Sequence, residues 1–195
     1  GSIQLGNLLS NTTGIFVDGS GGFTNTSDGT ITINNTANNG VLVEVAGSSF
    51  LNNGDLLIGT AGSSMENGIL VQNNSTFSNG ATGLIRINKA NAQWWSKSVA
   101  VISATFTNSG SIEAGNSSLN SYGLHVESTG SFTNQVSGTI RVNATTYNGI
   151  QLVHPSTMFT NNGFIEIGDS SQIGYNGIGI YENSSMSNSA TGTIE

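Results

Sequence analysis

The sequence predicts an all-β fold, a single-domain parallel β-helix (β-solenoid) of about seven coils, each 26–29 residues long. Three observations predict it. An Asn recurs at that spacing along the chain, and a Phe, or once a Met, stands two residues before each copy. Short apolar pairs of period two separate the copies, and a repeat period of 20 to 50 residues is typical of solenoids. The recurring residues are Asn25, Asn52, Asn79, Asn108, Asn134, Asn161 and Asn188.

The first predicted strand of each coil is a pair of apolar residues two positions apart. Side chains alternate between the faces of a strand, so both members of a pair point inward. The pairs are Ile31/Ile33, Leu56/Ile58, Ile85/Ile87, Ile112/Ala114, Ile140/Val142 and Ile165/Ile167. Four outward residues between them alternate in charge, so we expect ion pairs between neighbouring coils. They are Arg86, Glu113, Arg141 and Glu166.

The second predicted strand begins at or near a Gly and carries another apolar pair. The pairs are Ile15/Val17, Val41/Val43, Ile69/Val71, Val99/Val101, Leu124/Val126, Ile150/Leu152 and Ile178/Ile180. Its outward positions are apolar in the first coils, at Phe16, Leu42 and Leu70. An exposed apolar patch often marks an interface. These three residues are therefore candidates for self-association, and the alternative is that neighbouring chain covers them.

The third predicted strand is the Phe-x-Asn segment, which directs the Asn inward at a corner. An Asn amide offers two donors and one acceptor oxygen. Burying it without partners would cost roughly 1–3 kcal/mol. We therefore expect the seven Asn side chains to form an internal hydrogen-bonded ladder along the axis. The alternative is that they are surface turn residues.

The coils are expected to stack in parallel and to wind in the right-handed sense that such connections follow. At about 4.8 Å per coil the rod would be on the order of 34 Å long. Residues 1–2 (Gly1-Ser2) are typical of a remnant of cloning. We expect residues 3–195 to form one β-helix repeat segment of a longer protein.

Composition excludes several classes of function. The net charge is -7 with only four Lys and Arg residues, so we expect no nucleic-acid partner. The chain has no Cys and no apolar run long enough to span a membrane. Its His and Asp residues show no spacing typical of zinc or calcium sites, so we predict no metal and no cofactor. No nucleophile and base stand in a recognisable pattern, so we predict no catalytic residue and no enzymatic activity.

The longest connection between strands carries the candidate ligand-binding residues. It runs over residues 88–97 and contains both Trp residues of the chain. Variable loops on a rigid scaffold commonly bind ligands, and aromatic rings stack on the apolar faces of sugars. The predicted site comprises Gln93, Trp94, Trp95 and Lys97, with Tyr122, Tyr147 and Tyr175 at the same edge of the next three coils. The alternative is that these aromatic rings only pack against the coils.

Two motifs resemble the repeats of bacterial filamentous-haemagglutinin-like and autotransporter-like surface adhesins. They are Phe106–Ala114 (FTNSGSIEA) and Phe159–Ile167 (FTNNGFIEI), and the recurring Gly-Ile-x-Val strand is similar too. The resemblance implies a parallel β-helix in a long, secreted stalk on a bacterial cell surface, which holds binding regions away from the cell. The matched positions are scaffold positions, so no functional residue is carried over.

These observations lead to one expectation and two alternatives. We expect a structural or adhesive segment of a bacterial cell-surface or secreted adhesin, which binds a glycan or a surface protein or serves as a rigid stalk. The first alternative is a carbohydrate-active β-helix, either a lyase, a hydrolase or a tailspike-like protein. It would use Glu113 and Glu166 as paired carboxylates. The second alternative is a self-assembly module that uses the apolar residues of the second strand.

Overall fold

The structure, a computed structural model, describes residues 1–7, 12–59, 65–88, 95–115, 121–168 and 173–195. Within these ranges the chain forms 22 β-strands, arranged as three parallel sheets. The predicted all-β parallel β-solenoid is therefore confirmed, while its right-handed winding stays a prediction. No helix that is long and apolar enough to span a membrane occurs in the described ranges.

The first sheet contains eight of the described strands, one from each successive coil. They are Ser2–Asn7, Thr30–Asn35, Asp55–Ile58, Leu84–Ile87, Ser111–Ala114, Thr139–Val142, Phe164–Ile167 and Thr193–Ile194. The first of them was not predicted from the sequence. Its Ile3 lies opposite Ile31 and its Leu5 opposite Ile33, so it continues the inward apolar pattern by one more coil.

The second sheet contains seven described strands, and each pairs in parallel with the equivalent strand of the next coil. They are Ile15–Val17, Asn39–Val43, Asn67–Gln72, Lys97–Ile102, Tyr122–Glu127, Ile150–Val153 and Ile178–Ile180. The register keeps equivalent residues in line: Leu42, for example, lies between Phe16 and Leu70. Side chains that face outward on this sheet therefore form continuous files along the rod.

The third sheet also contains seven described strands, all built on the Phe-x-Asn segment. They are Gly22–Asn25, Ser49–Asn52, Thr76–Asn79, Thr105–Asn108, Ser131–Asn134, Met158–Asn161 and Ser185–Asn188. Burial alternates strictly along the central strands, with the Phe and the Asn inside. This alternation is the period of two that the sequence predicted.

A stack of Phe rings forms the centre of the core. Successive rings from Phe50 to Phe159 lie 4.7–4.9 Å apart and are parallel within 6°. These rings are at most 1% exposed. Met186 follows them in the last coil and packs against the same core. Because each ring contacts the ring above and the ring below, the stack couples the coils to one another.

The Asn ladder is confirmed and lies inside the solenoid. From Asn52 to Asn161 the ladder residues are at most 1% exposed, which excludes the surface-turn alternative for them. Each amide nitrogen from Asn25 to Asn161 donates to the side-chain oxygen of the next Asn at 2.8 Å. The same nitrogen of Asn108 also donates to the carbonyl oxygens of Gly110 and Thr139, both at 3.2 Å. The ladder therefore satisfies corner carbonyls as well as itself.

Gly at the corner after the ladder allows the coils to approach closely. A Cβ atom on Gly110 would collide with the backbone oxygens of Gly80 and Gly83 in the preceding coil. Those backbone atoms have no room to give way. The recurring Gly is therefore required by close packing between coils.

Candidate functional site

The predicted tyrosines lie at one edge of the second sheet, on successive coils. Tyr122 is opposite Lys97, and the backbone nitrogen of Tyr147 donates to Ser121, the residue before Tyr122. The backbone nitrogen of Tyr175 in turn donates to the carbonyl oxygen of Tyr147. The structure thus brings these predicted residues into one line. We call Lys97, Tyr122, Tyr147 and Tyr175 the tyrosine edge.

The rings of the tyrosine edge differ in exposure. Tyr122 is half-buried because its ring stacks on Tyr147 at 5.6 Å and meets the His125 ring edge-on at 5.4 Å. Burial raises the pKa of the Tyr122 phenol. Tyr147 is 39% exposed and Tyr175 is 75% exposed. Packing between coils therefore accounts for Tyr122, while Tyr147 and Tyr175 present ring surface to solvent.

The Trp-containing connection is only partly described. Gln93 and Trp94 lie outside the described residues. Trp95 is 39% exposed and comes two residues before Lys97, at the start of its strand. The described part of the predicted site therefore lies together at one edge, with Trp95 and Lys97 one coil before Tyr122.

A polar network beside this edge was missed by the sequence analysis. Asn148 donates to the side-chain oxygen of Gln151 at 3.0 Å, and Asn176 donates to the side-chain oxygen of Asn148 at 3.1 Å. Asn176 also donates to the hydroxyl of Tyr181 at 3.1 Å. A sequence signal was present, since an Asn-Gly pair opens or precedes the second strand in several coils. Asn39 and Asn67 belong to the same series and form their own bond at 2.9 Å.

A pair formed by buried His125 and half-buried Glu127 lies on the outward face of the same sheet. The Nε2 atom of His125 is 2.8 Å from a carboxylate oxygen of Glu127. This hydrogen bond lowers the pKa of Glu127, and the charges of His125, Lys97 and His154 act in the same direction. The Nδ1 atom of His125 is buried and has no hydrogen-bond partner in the described structure. This one hydrogen bond therefore links two outward side chains of the same strand.

The lowered pKa of Glu127 predicts a contribution to stability that depends on pH. Because the folded pKa is below the unfolded value, this contribution is present above the ordinary value of 4.5 and is lost as the pH falls through the folded pKa. We expect Glu127→Gln to reduce stability at neutral pH and to flatten its decline below 4.5. Urea unfolding across this range tests the prediction, with the exposed Asp18→Asn as control. An unchanged acid profile in Glu127→Gln would refute it.

The alternating charges on the first sheet form the predicted ion pairs. Arg86 bonds Glu113 and Arg141 bonds Glu166, each through Nε at 2.8 Å. The Arg side chains are about two-fifths exposed, so each pair contributes about 0–1 kcal/mol. Both carboxylates of the carbohydrate-active alternative are thus engaged by an Arg. Within the described residues, no group of three or more His, Asp and Glu is arranged to hold a metal ion.

The three apolar residues predicted to mediate self-association form a continuous file on the second sheet. Phe16, Leu42 and Leu70 lie side by side on neighbouring strands. Phe16 is 55% exposed, and the two Leu residues are half-buried. The file ends at Ala100, which is fully buried. The exposed apolar surface is therefore concentrated at Phe16.

Comparison with known proteins identifies no relative. A scan against protein-family models finds no matching family. A search of curated proteins and a search of solved structures each return no match. The function is therefore argued from the solenoid and from the residues along its surface.

Proposed function

We propose that this chain is a structural and adhesive segment of a large bacterial cell-surface or secreted adhesin. It acts as a rigid stalk, and the exposed aromatic residues at its tyrosine edge contact a glycan or a protein on an opposing surface. The observation that carries the proposal is the unbroken register of all three sheets along the described rod. Within the described residues, no structural feature supports the carbohydrate-active or the self-assembly alternative to the same extent.

The stalk role follows from how the coils are joined. Each coil is bonded to its neighbours by three sheets, by the Phe stack and by the Asn ladder. In a solenoid of this kind stability is approximately the sum of contributions from neighbouring repeats. Such a rod keeps its length and direction, which suits a spacer between a cell and its target.

The adhesive role is supported by the exposed aromatic residues. Trp95, Tyr147 and Tyr175 are all at least 39% exposed, and they lie at the same edge as the Asn148 and Asn176 amides. Exposed rings beside amide groups suit sugars, which have both apolar C–H faces and hydroxyl groups. The net charge of -7 favours a neutral glycan over a polyanionic one.

Single-molecule pulling from the two ends tests the stalk role. The proposal predicts stepwise opening, in which one coil of 26–29 residues is released at a time. Each step should lengthen the chain by about 90 Å, given roughly 3.3–3.6 Å per extended residue. Smooth extension without steps would contradict a rod made of bonded coils. A chemically unfolded sample provides the matched control for smooth extension.

A further inference from the structure

The ring of Tyr181 occupies a specific place on the outer face of the second sheet. Gly179 lies opposite Gln151 in this sheet, at an outward position. A Cβ atom on Gly179 would lie 2.6 Å from Cε2 of Tyr181 and 2.8 Å from its hydroxyl oxygen. The ring therefore folds back over Gly179 and occupies the space that a Cβ atom there would take.

Hydrogen bonds of the Tyr181 hydroxyl and of the Tyr181 backbone fix the position of this ring. The Tyr181 hydroxyl accepts from Asn176 at 3.1 Å and from Asn148 at 3.5 Å. The backbone nitrogen of Tyr181 donates to Leu152 at 2.9 Å. The side chain is held in one place and is still 38% exposed. A ring that is already ordered loses little conformational entropy when a ligand binds.

The groups that contact the Tyr181 hydroxyl are polar. Gln151 is half-buried beside Gly179 and accepts from Asn148. The Tyr181 hydroxyl accepts from the two Asn residues and keeps its own proton for donation. Exposed Glu182 follows directly in the chain and disfavours an anionic ligand. The surroundings therefore suit an uncharged ligand that has an apolar face and several hydroxyl groups.

We propose that Tyr181 is the stacking platform for a neutral pyranose of a bound glycan. The C–H face of the sugar lies against the Tyr181 ring, while its hydroxyl groups bond the Tyr181 hydroxyl and the Gln151 amide. This inference rests on the glycan-binding part of the proposed function and moves the centre of the site away from the Trp connection. It explains why an outward position on this strand is Gly, although outward positions elsewhere in the sheet carry side chains.

Nuclear magnetic resonance with neutral tetrasaccharides tests the inference. The probes are cellotetraose, chitotetraose and maltotetraose, and the readout is the aromatic signals of Tyr and Trp. At least one probe is expected to shift the Tyr181 signals in a saturable manner. Tyr181→Ala and Gly179→Ala should each weaken its binding by about tenfold or more. Gly179→Ala keeps the tyrosine in the chain and only displaces its ring.

Two further variants separate a platform from a purely structural tyrosine. Tyr181→Phe keeps the ring and should retain more binding than Tyr181→Ala. Phe16→Ala removes an exposed aromatic ring at the far end of the same sheet and should change binding by no more than about twofold. Circular dichroism verifies that each variant is folded before it is titrated.

The outcomes distinguish this inference from the proposed function. Shifts at Trp95 or Tyr147 without shifts at Tyr181 would overturn the inference and leave a glycan-binding adhesin. Full binding by folded Gly179→Ala and Tyr181→Ala would have the same meaning. If no tetrasaccharide shifts any aromatic signal, the inference is overturned, and the pulling experiment still decides the stalk role.

Discussion

Asn108→Ala is expected to destabilise the solenoid by about 3–5 kcal/mol, which is large for a single substitution. Asn108 is fully buried, and its amide nitrogen donates to Asn134, Gly110 and Thr139. Its side-chain oxygen accepts from Asn79 at 2.8 Å. The substitution leaves several of these buried groups without a partner, and each costs about 1–3 kcal/mol. Urea unfolding measures the loss.

Two variants control this prediction. Asn162→Ala removes a half-buried corner Asn outside the ladder and should change stability by no more than about 0.5 kcal/mol. Asn108→Asp keeps the shape but turns a carboxylate toward other oxygens. Because burial raises the pKa of such a carboxyl group, its stability deficit should shrink as the pH falls. Equal, small losses for Asn108→Ala and Asn162→Ala would show that the ladder contributes little.

Phe106→Ala is the second substitution with a large expected effect, about 3–5 kcal/mol. Phe106 is fully buried, and its ring stacks on Phe77 at 4.7 Å and on Phe132 at 4.8 Å. Its removal leaves a cavity in the middle of the stack, which the fixed backbone of the neighbouring coils cannot fill. The free energy of unfolding, measured by urea titration, gives the cost.

The control for this cavity is Phe106→Met. Met186 occupies the equivalent position in the last coil, opposite Phe159, so the fold already accepts Met in the stack. A change of similar volume is expected to cost less than about 1.5 kcal/mol. If Phe106→Met is as damaging as Phe106→Ala, ring stacking itself, rather than filled volume, stabilises the core.

The fold was predictable because one sequence feature sets the geometry of every coil. A buried Asn needs hydrogen-bond partners, and its regular recurrence places those partners one coil apart. The same spacing aligns the Phe residues and the apolar pairs. The strand Ser2–Asn7 was missed because the alignment starts from the recurring Asn residues, the first of which is Asn25, downstream of this strand. Its Ile3 and Leu5 carry the inward pattern without that marker.

The candidate site was predictable only in part. The tyrosine edge follows from coil spacing, because equivalent positions in successive coils become neighbours. The position of Tyr181 does not follow, since its ring turns back over Gly179 and depends on side-chain torsions. The bonds from Asn148 and Asn176 to its hydroxyl join residues from different coils. A repeat pattern identifies which residues are adjacent, but it does not specify how their side chains turn.

A glycan-array screen tests the adhesive function most directly. The folded wild-type segment is compared with the Trp94→Ala/Trp95→Ala variant and with Tyr181→Ala. We predict that the wild type binds at least one neutral glycan and that binding is lost in one or both variants. Wild-type protein that is folded but binds no glycan would contradict the adhesive role, and binding that persists in both variants would place the contact elsewhere on the rod.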